Sequence, residues 1–342
     1  MLMRPRTPLI AAALATSVTL TTAFTATADP APISKITHIN WTTPPTLTRI
    51  AGTDRYSTAT AISQKYWPNG SSTIYLANGL NRADALAAGP AAAHAEAPLL
   101  LTTPDSIPET VLAEIRRLQP TTIYLVGGTK ALPEHLTQQL RDIPHITRIY
   151  GTNRYTTAAA LAATIPHPSK IYVASGHDDD WPDAITAGAA AAGEHAPLLL
   201  AAPTGLPPQS IKHTGTIHLV GNTKRLTPAI HKAIRTNAPT ARITHTSGTG
   251  NNIYSTNTAL ISISPTLSKT STVFFTTGTH WPDAIAGIPA AGKASAPITL
   301  TTSTCMPNST ADLLRAMPLR SAIQLGGINT IDIASFDDRC SW

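Results

Sequence analysis

Short apolar runs recur along the chain, each bounded by polar or glycine-containing turns. Ile74–Ala77, Leu99–Thr102 and Ile123–Val126 read as β-strands, and the longer alanine-rich or amphipathic stretches between them read as helices. Strands that alternate with helices need crossover connections, which predicts an α/β fold with mostly parallel sheets. The stretches "ALAAGPAAA", "AITAGAAAAG" and "AIAGIPAAG" carry almost no bulk. Helices built from them can lie very close to a sheet or to one another, and they are too apolar to remain in water. Pro90 and Pro289 are expected to kink or interrupt theirs.

The pattern is triplicated. "IYLANGLNRADALAAGPAAAHAEAPLLLTTP" (74–104), "IYVASGHDDDWPDAITAGAAAAGEHAPLLLAAP" (171–203) and "VFFTTGTHWPDAIAGIPAAGKASAPITLTTS" (273–303) are one segment, closed by "IYLVGGTKAL", "IHLVGNTKRL" and "IQLGGINTI". Asp84, Asp183 and Asp283 open the alanine-rich runs at a spacing of 99 and then 100 residues. These carboxylates are placed to cap helix amides, with Pro182 and Pro282 suited to a first turn. The expected divisions are an export signal (1–28), a Pro/Thr-rich arm (29–48), and three repeats over 49–141, 142–236 and 237–342, the last including a short tail. Three copies of one unit can close with approximate three-fold symmetry. The expected architecture is therefore a compact pseudo-three-fold trefoil of α/β repeats, with a linear array as the alternative.

A polar motif precedes two of the copies. "RIAGTDRYSTATAIS" (49–63) returns as "RIYGTNRYTTAAALA" (148–162), where Asp54 and Asn153 suit helix N-caps and Arg55 and Arg154 fall in the first turn beside Tyr56 and Tyr155. A cation there opposes the helix dipole, so it needs a partner: a carboxylate or aromatic ring of a neighbouring copy, or an anionic ligand. In the third copy, "RITHTSGTGNNIYSTNTALIS", Tyr254 persists and Arg242 takes the leading place of Arg49 and Arg148. Asn252 or Ile253 stands where the second arginine should be, after a loop five residues longer. Trp181 and Trp281, each followed by Pro and Asp, suit either stacking on sugar rings or covering a helix start; the first copy has Arg82 there.

Other chemistry is thin. "GHDDDWPD" (176–183) lacks the spacing and terminal glutamate of a calcium loop, so it reads as a solvated, helix-capping loop with no metal. "VGGTKAL" offers exposed amides to a phosphate, but Thr129-Lys130 reverses the order of a nucleotide loop. No GxSxG, HExxH or CxxC occurs, and no cofactor is expected. Arg4 and Arg6 before an apolar Leu9–Leu20 stretch, with Ala26-Thr27-Ala28 as the cleavage site, read as the export signal. Its loss takes Lys+Arg from 25 to 23 against 19 Asp+Glu, a net charge of +4. That is too mild for a nucleic-acid binder, and no later segment is apolar enough for stable membrane insertion. Cys305 and Cys340, in an exported chain, are expected to pair.

The opening motif, the Asp-Ala-Leu/Ile segments and the "APLLL…VGG" endings resemble the bacterial cell-wall-binding repeat of type 2, over about 280 of 342 residues. The resemblance implies an α/β trefoil that attaches noncovalently to anionic wall polymers such as teichoic-acid-like glycans of a Gram-positive-type envelope. The family's apolar triplet before a Thr-rich turn matches Leu99–Leu101, Leu198–Leu200 and Ile298-Thr299-Leu300, which read as buried strands. The expectation is a secreted, non-enzymatic module whose best polyanion contacts are Arg49, Arg55, Arg148, Arg154 and Arg242. Tyr56, Tyr155, Tyr254, Trp181 and Trp281 serve sugars or repeat junctions. An amidase-like wall hydrolase, or an adhesin or assembly subunit with other surface proteins as partners, is the alternative.

Overall fold

The computed structural model describes residues 35–341 apart from 212–214, 250–251 and 333–335. The export signal and the start of the arm lie outside the described residues. The arm continues as β1 (Lys35–His38) and β2 (Thr46–Ile50). The first copy runs α1 (Arg55–Tyr66), β3 (Thr73–Asn78), α2 (Arg82–Ala85), α3 (Ala88–His94), β4 (Leu99–Thr102), α4 (Glu109–Leu118) and β5 (Thr122–Val126). The second runs β6 (His145–Ile149), α5 (Arg154–Ala162), β7 (Lys170–Ser175), α6 (Trp181–Gly193), β8 (Leu198–Ala201), β9 (Thr216–Val220) and α7 (Pro228–Asn237). The third runs β10 (Arg242–Thr246), α8 (Ile253–Ile263), β11 (Thr272–Thr277), α9 (Trp281–Lys293), β12 (Ile298–Thr301), β13 (Met306–Pro307), α10 (Asn308–Ala316) and β14 (Ser321–Leu325), with β15 (Asp338–Ser341) in the tail. No helix among the described residues is long and apolar enough to cross a membrane.

Three four-stranded parallel sheets form, in the orders β4-β3-β5-β6, β8-β7-β9-β10 and β12-β11-β14-β2. The fourth strand of each sheet is the one that leads into the glycine turn and helix cap of the next copy. For the third sheet that strand is β2, from the beginning of the chain, with Thr46 opposite Ser321 and Ile50 opposite Leu325. Each copy therefore completes its sheet with a strand whose sequence motif belongs to its neighbour. The expected α/β fold with three repeats and mostly parallel sheets is what the chain adopts.

The apolar triplets are fully buried strands, as read. Thr299, the polar member of the third, costs little because Asn257 of α8 supplies its partner: Thr299 Oγ1 and the Leu300 amide donate to Asn257 Oδ1 at 3.1 and 3.2 Å. The alanine-rich helices α3, α6 and α9 each touch the other two. At their meeting point a Cβ added to Gly292 would lie 2.9 Å from the Ala93 methyl and 3.1 Å from that of Ala192. Only small residues permit this approach. Pro90 sits in the first turn of α3, after a break that separates α3 from α2, where a missing N–H has no helical partner to lose. The interruption expected at Pro289 does not occur, since α9 runs through it, held by its packing on α3 and α6.

The arm and the tail meet the third copy where β1 pairs antiparallel and β13 parallel with β15. The Cys305–Cys340 disulfide ties this small sheet, with the Cα atoms 5.8 Å apart. Trp41 stacks on Phe336 with centroids 5.1 Å apart, and its indole N–H donates to Asp337. The arm is thus docked on the third copy.

Candidate functional site

The turn before each long helix is built the same way. Asp54 Oδ1 accepts the Ser57 amide at 2.7 Å while the Ser57 hydroxyl returns a bond to the cap, and Asn153 repeats this with Thr156. Asn252 caps α8, which puts Ile253 at the first helical position that Arg55 and Arg154 hold in α1 and α5. Each arginine then reaches the end of the first central strand of its copy: Arg55 Nη1 donates to Gly79 O at 2.6 Å and Arg154 Nη1 to Gly176 O at 3.1 Å.

Their other partners differ. Arg154 also meets Asp178 Oδ1 at 2.6 Å, and Arg82 from the first copy donates to the Asp178 carbonyl at 2.8 Å. The Arg154 hydrogen bond, aided by both positive charges, holds the Asp178 carboxyl below its ordinary range against the opposing effect of burial. Arg55 instead lies over the Trp281 ring of the third copy, 5.7 Å from its centroid, and has no salt-bridge partner among the described residues. At one seam a single carboxylate, Asp178, serves two guanidiniums, while at the other Arg55 is braced by a carbonyl and an indole and its charge favours the ionised forms of Asp283 and Asp54.

The leading position shows a correction. Arg148 Nη1 donates to Gly127 O at 3.0 Å and Nη2 to Glu134 at 3.1 Å, and Arg49 Nη2 points to the Ile331 carbonyl at 3.4 Å. In the third copy the strand register pairs His245 with Leu219, as Arg148 pairs with Leu125 and Arg49 with Gln324. His245, not Arg242, occupies the equivalent place, and its Nε2–H donates to Gly221 O at 3.0 Å. Arg242 is an exposed residue at the start of β10, opposite Thr216. The match of "RIT" to "RIA" misleads because register follows the paired backbone and the buried face, not the letters. The loop from His245 to Asn252 is then two residues longer than its counterparts, not five.

The aromatic residues mostly pack. A Cβ at Gly79, Gly176 or Gly278 would fall 2.7, 2.5 or 3.0 Å from the rings of Tyr56, Tyr155 and Tyr254, so each tyrosine fills the space its glycine leaves. Tyr254 is 1% and Trp181 5% exposed, which removes both as sugar platforms. Trp281 is half-buried and carries Arg55 on its ring.

Asp84, Asp183 and Asp283 do not cap their helices. The N-cap positions are Asn81, whose Oδ1 accepts the Ala83 amide at 2.9 Å, and Asp180 and His280, while the three aspartates sit two residues inside the first turn. They turn away to the glycine turn that ends the third strand of each sheet. Gly127, Gly221 and Gly326 have φ of +108°, +114° and +106°, and a Cβ at Gly221 would fall within contact of the Asp183 carboxyl. The Asn222 amide donates to Asp183 Oδ2 at 3.1 Å. In "GHDDDWPD" only Asp178 and Asp179 are exposed; Asp180 is buried, with Arg225 near both Asp179 and Asp180 at 3.6 and 3.5 Å.

Burial pushes Asp183 up to about 7 and Asp283 up to about 6. Both folded-state values lie above the unfolded one, so the stability of the protonated form is fully present below about pH 4 and is lost as pH rises toward 7. His218, which burial pushes down to about 4, acts oppositely and costs stability as pH falls below its unfolded value. Comparing Asp183→Asn with the parent cancels the histidine. The variant's relative stability is expected to grow by roughly 2–3 kcal/mol between about pH 5 and about pH 7.5 in denaturant melts. A difference that stays constant over that range would mean the carboxyl ionises normally.

Arg55, His280 and Asp283, with Gly52, Thr58 and the Gly327–Thr330 turn, line a cleft of about 390 Å³ between the first and third copies. Sequence reasoning singled out Arg55 and Asp283. It missed the strand-end carbonyls and His245, for which the only signal is the register, and passed over Arg82, visible as the one non-tryptophan at its repeat position.

Several known proteins resemble the chain. It is 30% identical over 259 residues to the N-acetylmuramoyl-L-alanine amidase LytC of Bacillus subtilis, covering 74% of this chain and 50% of that protein. It is 27% identical over 250 residues to the amidase enhancer of the same organism, covering 73% and 34%. The chain thus spans half or less of the length of these relatives. Among solved structures it resembles Cwp6 from Clostridium difficile, with a TM-score of 0.77 and 26% identity over 83% of this chain and 46% of that one. Cwp8 from the same organism shares the fold, with a TM-score of 0.75 and 21% identity over 84% and 50%. The description of cell wall binding domain 2 matches residues 49–137, 148–231 and 249–334, one segment per copy, and the chain belongs to that cell-wall-binding family.

Proposed function

We propose that the chain attaches noncovalently, at the outer surface of the cell, to an anionic wall polymer of the teichoic-acid class, and that it binds the polymer without cutting it. The cell-wall-binding family supports attachment to the wall. The observation that carries the choice of an anionic ligand is Arg55: braced by Gly79 O and Trp281 in the lining of the cleft, it has no salt-bridge partner among the described residues. A phosphate there would receive the planar fork of a guanidinium that is already held in place. Arg154 contributes less, because Asp178 already occupies it.

Co-sedimentation with purified Gram-positive walls tests the reading, before and after acid extraction of their phosphate-containing glycans. Arg55→Ala is expected to weaken binding about tenfold at low salt, the equivalent of one charge-assisted hydrogen bond, and Arg154→Ala by less. Binding by the parent should fall as salt screens the exposed charges. Equal sedimentation with extracted and intact walls would overturn the anionic ligand.

A further inference from the structure

The three seams are not chemically equal. Where the second copy meets the third, both arginine positions have been replaced, by His245 and Ile253. His245 nonetheless keeps the arginine's contact, since its Nε2–H meets Gly221 O at 3.0 Å as Arg148 Nη1 meets Gly127 O at 3.0 Å. With Nε2 committed as donor, Nδ1 is the atom that gains a proton, and it has no hydrogen-bond partner among the described residues. The ring of His231, from α7, lies 5.9 Å from that of His245.

We infer that this seam is a separate anion subsite, built on the imidazole of His245 with the ring of His231 beside it in place of guanidiniums, which takes a phosphate-bearing polymer once His245 is protonated. The inference rests on the anionic-polymer reading above. At neutral pH the seam is a weak partner for an anion; in acid it joins the seam of Arg55. The surroundings set the balance. Burial lowers the affinity of His245 for a proton, the Gly221 carbonyl raises it, and His231 lowers it again. From β9, His218 is buried and bonded on both nitrogens to Thr244 and Thr246, so it stays neutral, with the Lys170–Glu194 pair beyond it. The glycine turn brings Lys224, and Arg225 paired with Asp179 and Asp180; Asp183 of α6 lies against Gly221. Beyond His231, α7 carries Lys232 and Arg235, β10 itself carries Arg242, and α8 contributes no Asp, Glu, Lys, Arg or His. A bound phosphate would shift this balance toward the charged ring of His245.

The test uses the full mature chain and sodium polyphosphate as the probe, with affinity measured by calorimetry at about pH 5.5 and about pH 7.5. The parent is expected to bind roughly three- to tenfold tighter in acid, the gain of one charge-assisted contact. His245→Gln keeps a donor for the Gly221 carbonyl but cannot be protonated, and should lose most of that ratio; His245→Arg should reach the acid affinity already at neutral pH. Proton NMR of the imidazole should show polyphosphate raising the His245 titration midpoint. A pH ratio in His245→Gln equal to the parent's would overturn the inference, whatever the other histidines contribute. Arg55→Ala keeps the two readings apart: it should weaken binding at both pH values and leave the ratio intact. If instead Arg55→Ala binds like the parent while His245→Gln loses the ratio, the arginine reading fails and the imidazole subsite stands. If the parent binds polyphosphate at neither pH, both fall.

Discussion

Replacing Gly292 with leucine is expected to cost at least about 3 kcal/mol, the upper part of the range for overpacking a core. The residue stands where α9 crosses α3 and α6, and a single Cβ would already come within 2.9 Å of Ala93, 3.1 Å of the Ala192 methyl and 3.2 Å of the Ala192 carbonyl. None of these can retreat by rotating a side chain, because a methyl group and a backbone oxygen move only with their helices. Three helices must separate to admit one isobutyl group. In a chain of this length the melting temperature should fall by about 5 °C or more. Gly128→Ala is the matched control: its nearest neighbour is the Tyr150 ring at 3.6 Å, ordinary contact, and its melt should stay close to the parent's. Equal melts for the two variants would show that the helices do not meet as closely as described.

Reducing the Cys305–Cys340 bond is expected to be comparably costly. It joins residues 35 apart in sequence, a loop for which the chain-entropy estimate is about 4 kcal/mol, and native strain subtracts from that. The bond holds β13 to β15, β15 holds β1, and the same tail carries Phe336, on which Trp41 stacks. Its loss therefore weakens the seating of the arm as well as the tail. A paired Cys305→Ser and Cys340→Ser variant should melt several degrees lower than the oxidised parent and be cleaved by protease within residues 35–45. Resistance equal to that of the parent would mean that strand pairing alone secures the arm.

Much of this fold was legible in the sequence because three copies speak for one another. The alanine-rich runs, the buried triplets and the capped turns at Asp54 and Asn153 each follow from local pattern, and repetition removes the ambiguity that a single short apolar run would leave. What was not legible depends on partners distant in the chain. Asp183 looks like a cap because aspartate before an alanine-rich run usually is one; only the positive-φ turn at Gly221, 38 residues on, shows where its carboxyl goes. Arg242 looked like the leading arginine because the letters matched, while the sheet register gave that place to His245. Tyr254 and Trp181 carry the composition of a sugar platform, but glycine neighbours and helix packing bury them. Local rules expect Pro289 to kink or interrupt its helix; α9 continues through it, packed against two other helices.

The borrowed strand that finishes the last sheet also sets how many units such a chain can hold. A fragment of one or two copies would expose an unfinished β-sheet margin at one end and a stranded ribbon at the other, both prone to pairing with foreign chains. Lengthening by a fourth unit would leave the first ribbon facing the wrong margin. The closure by β2 leaves each seam free to differ in what it holds, as His245 and Ile253 do where the other seams carry arginine, while the number of copies is tied to the strand that closes the last sheet.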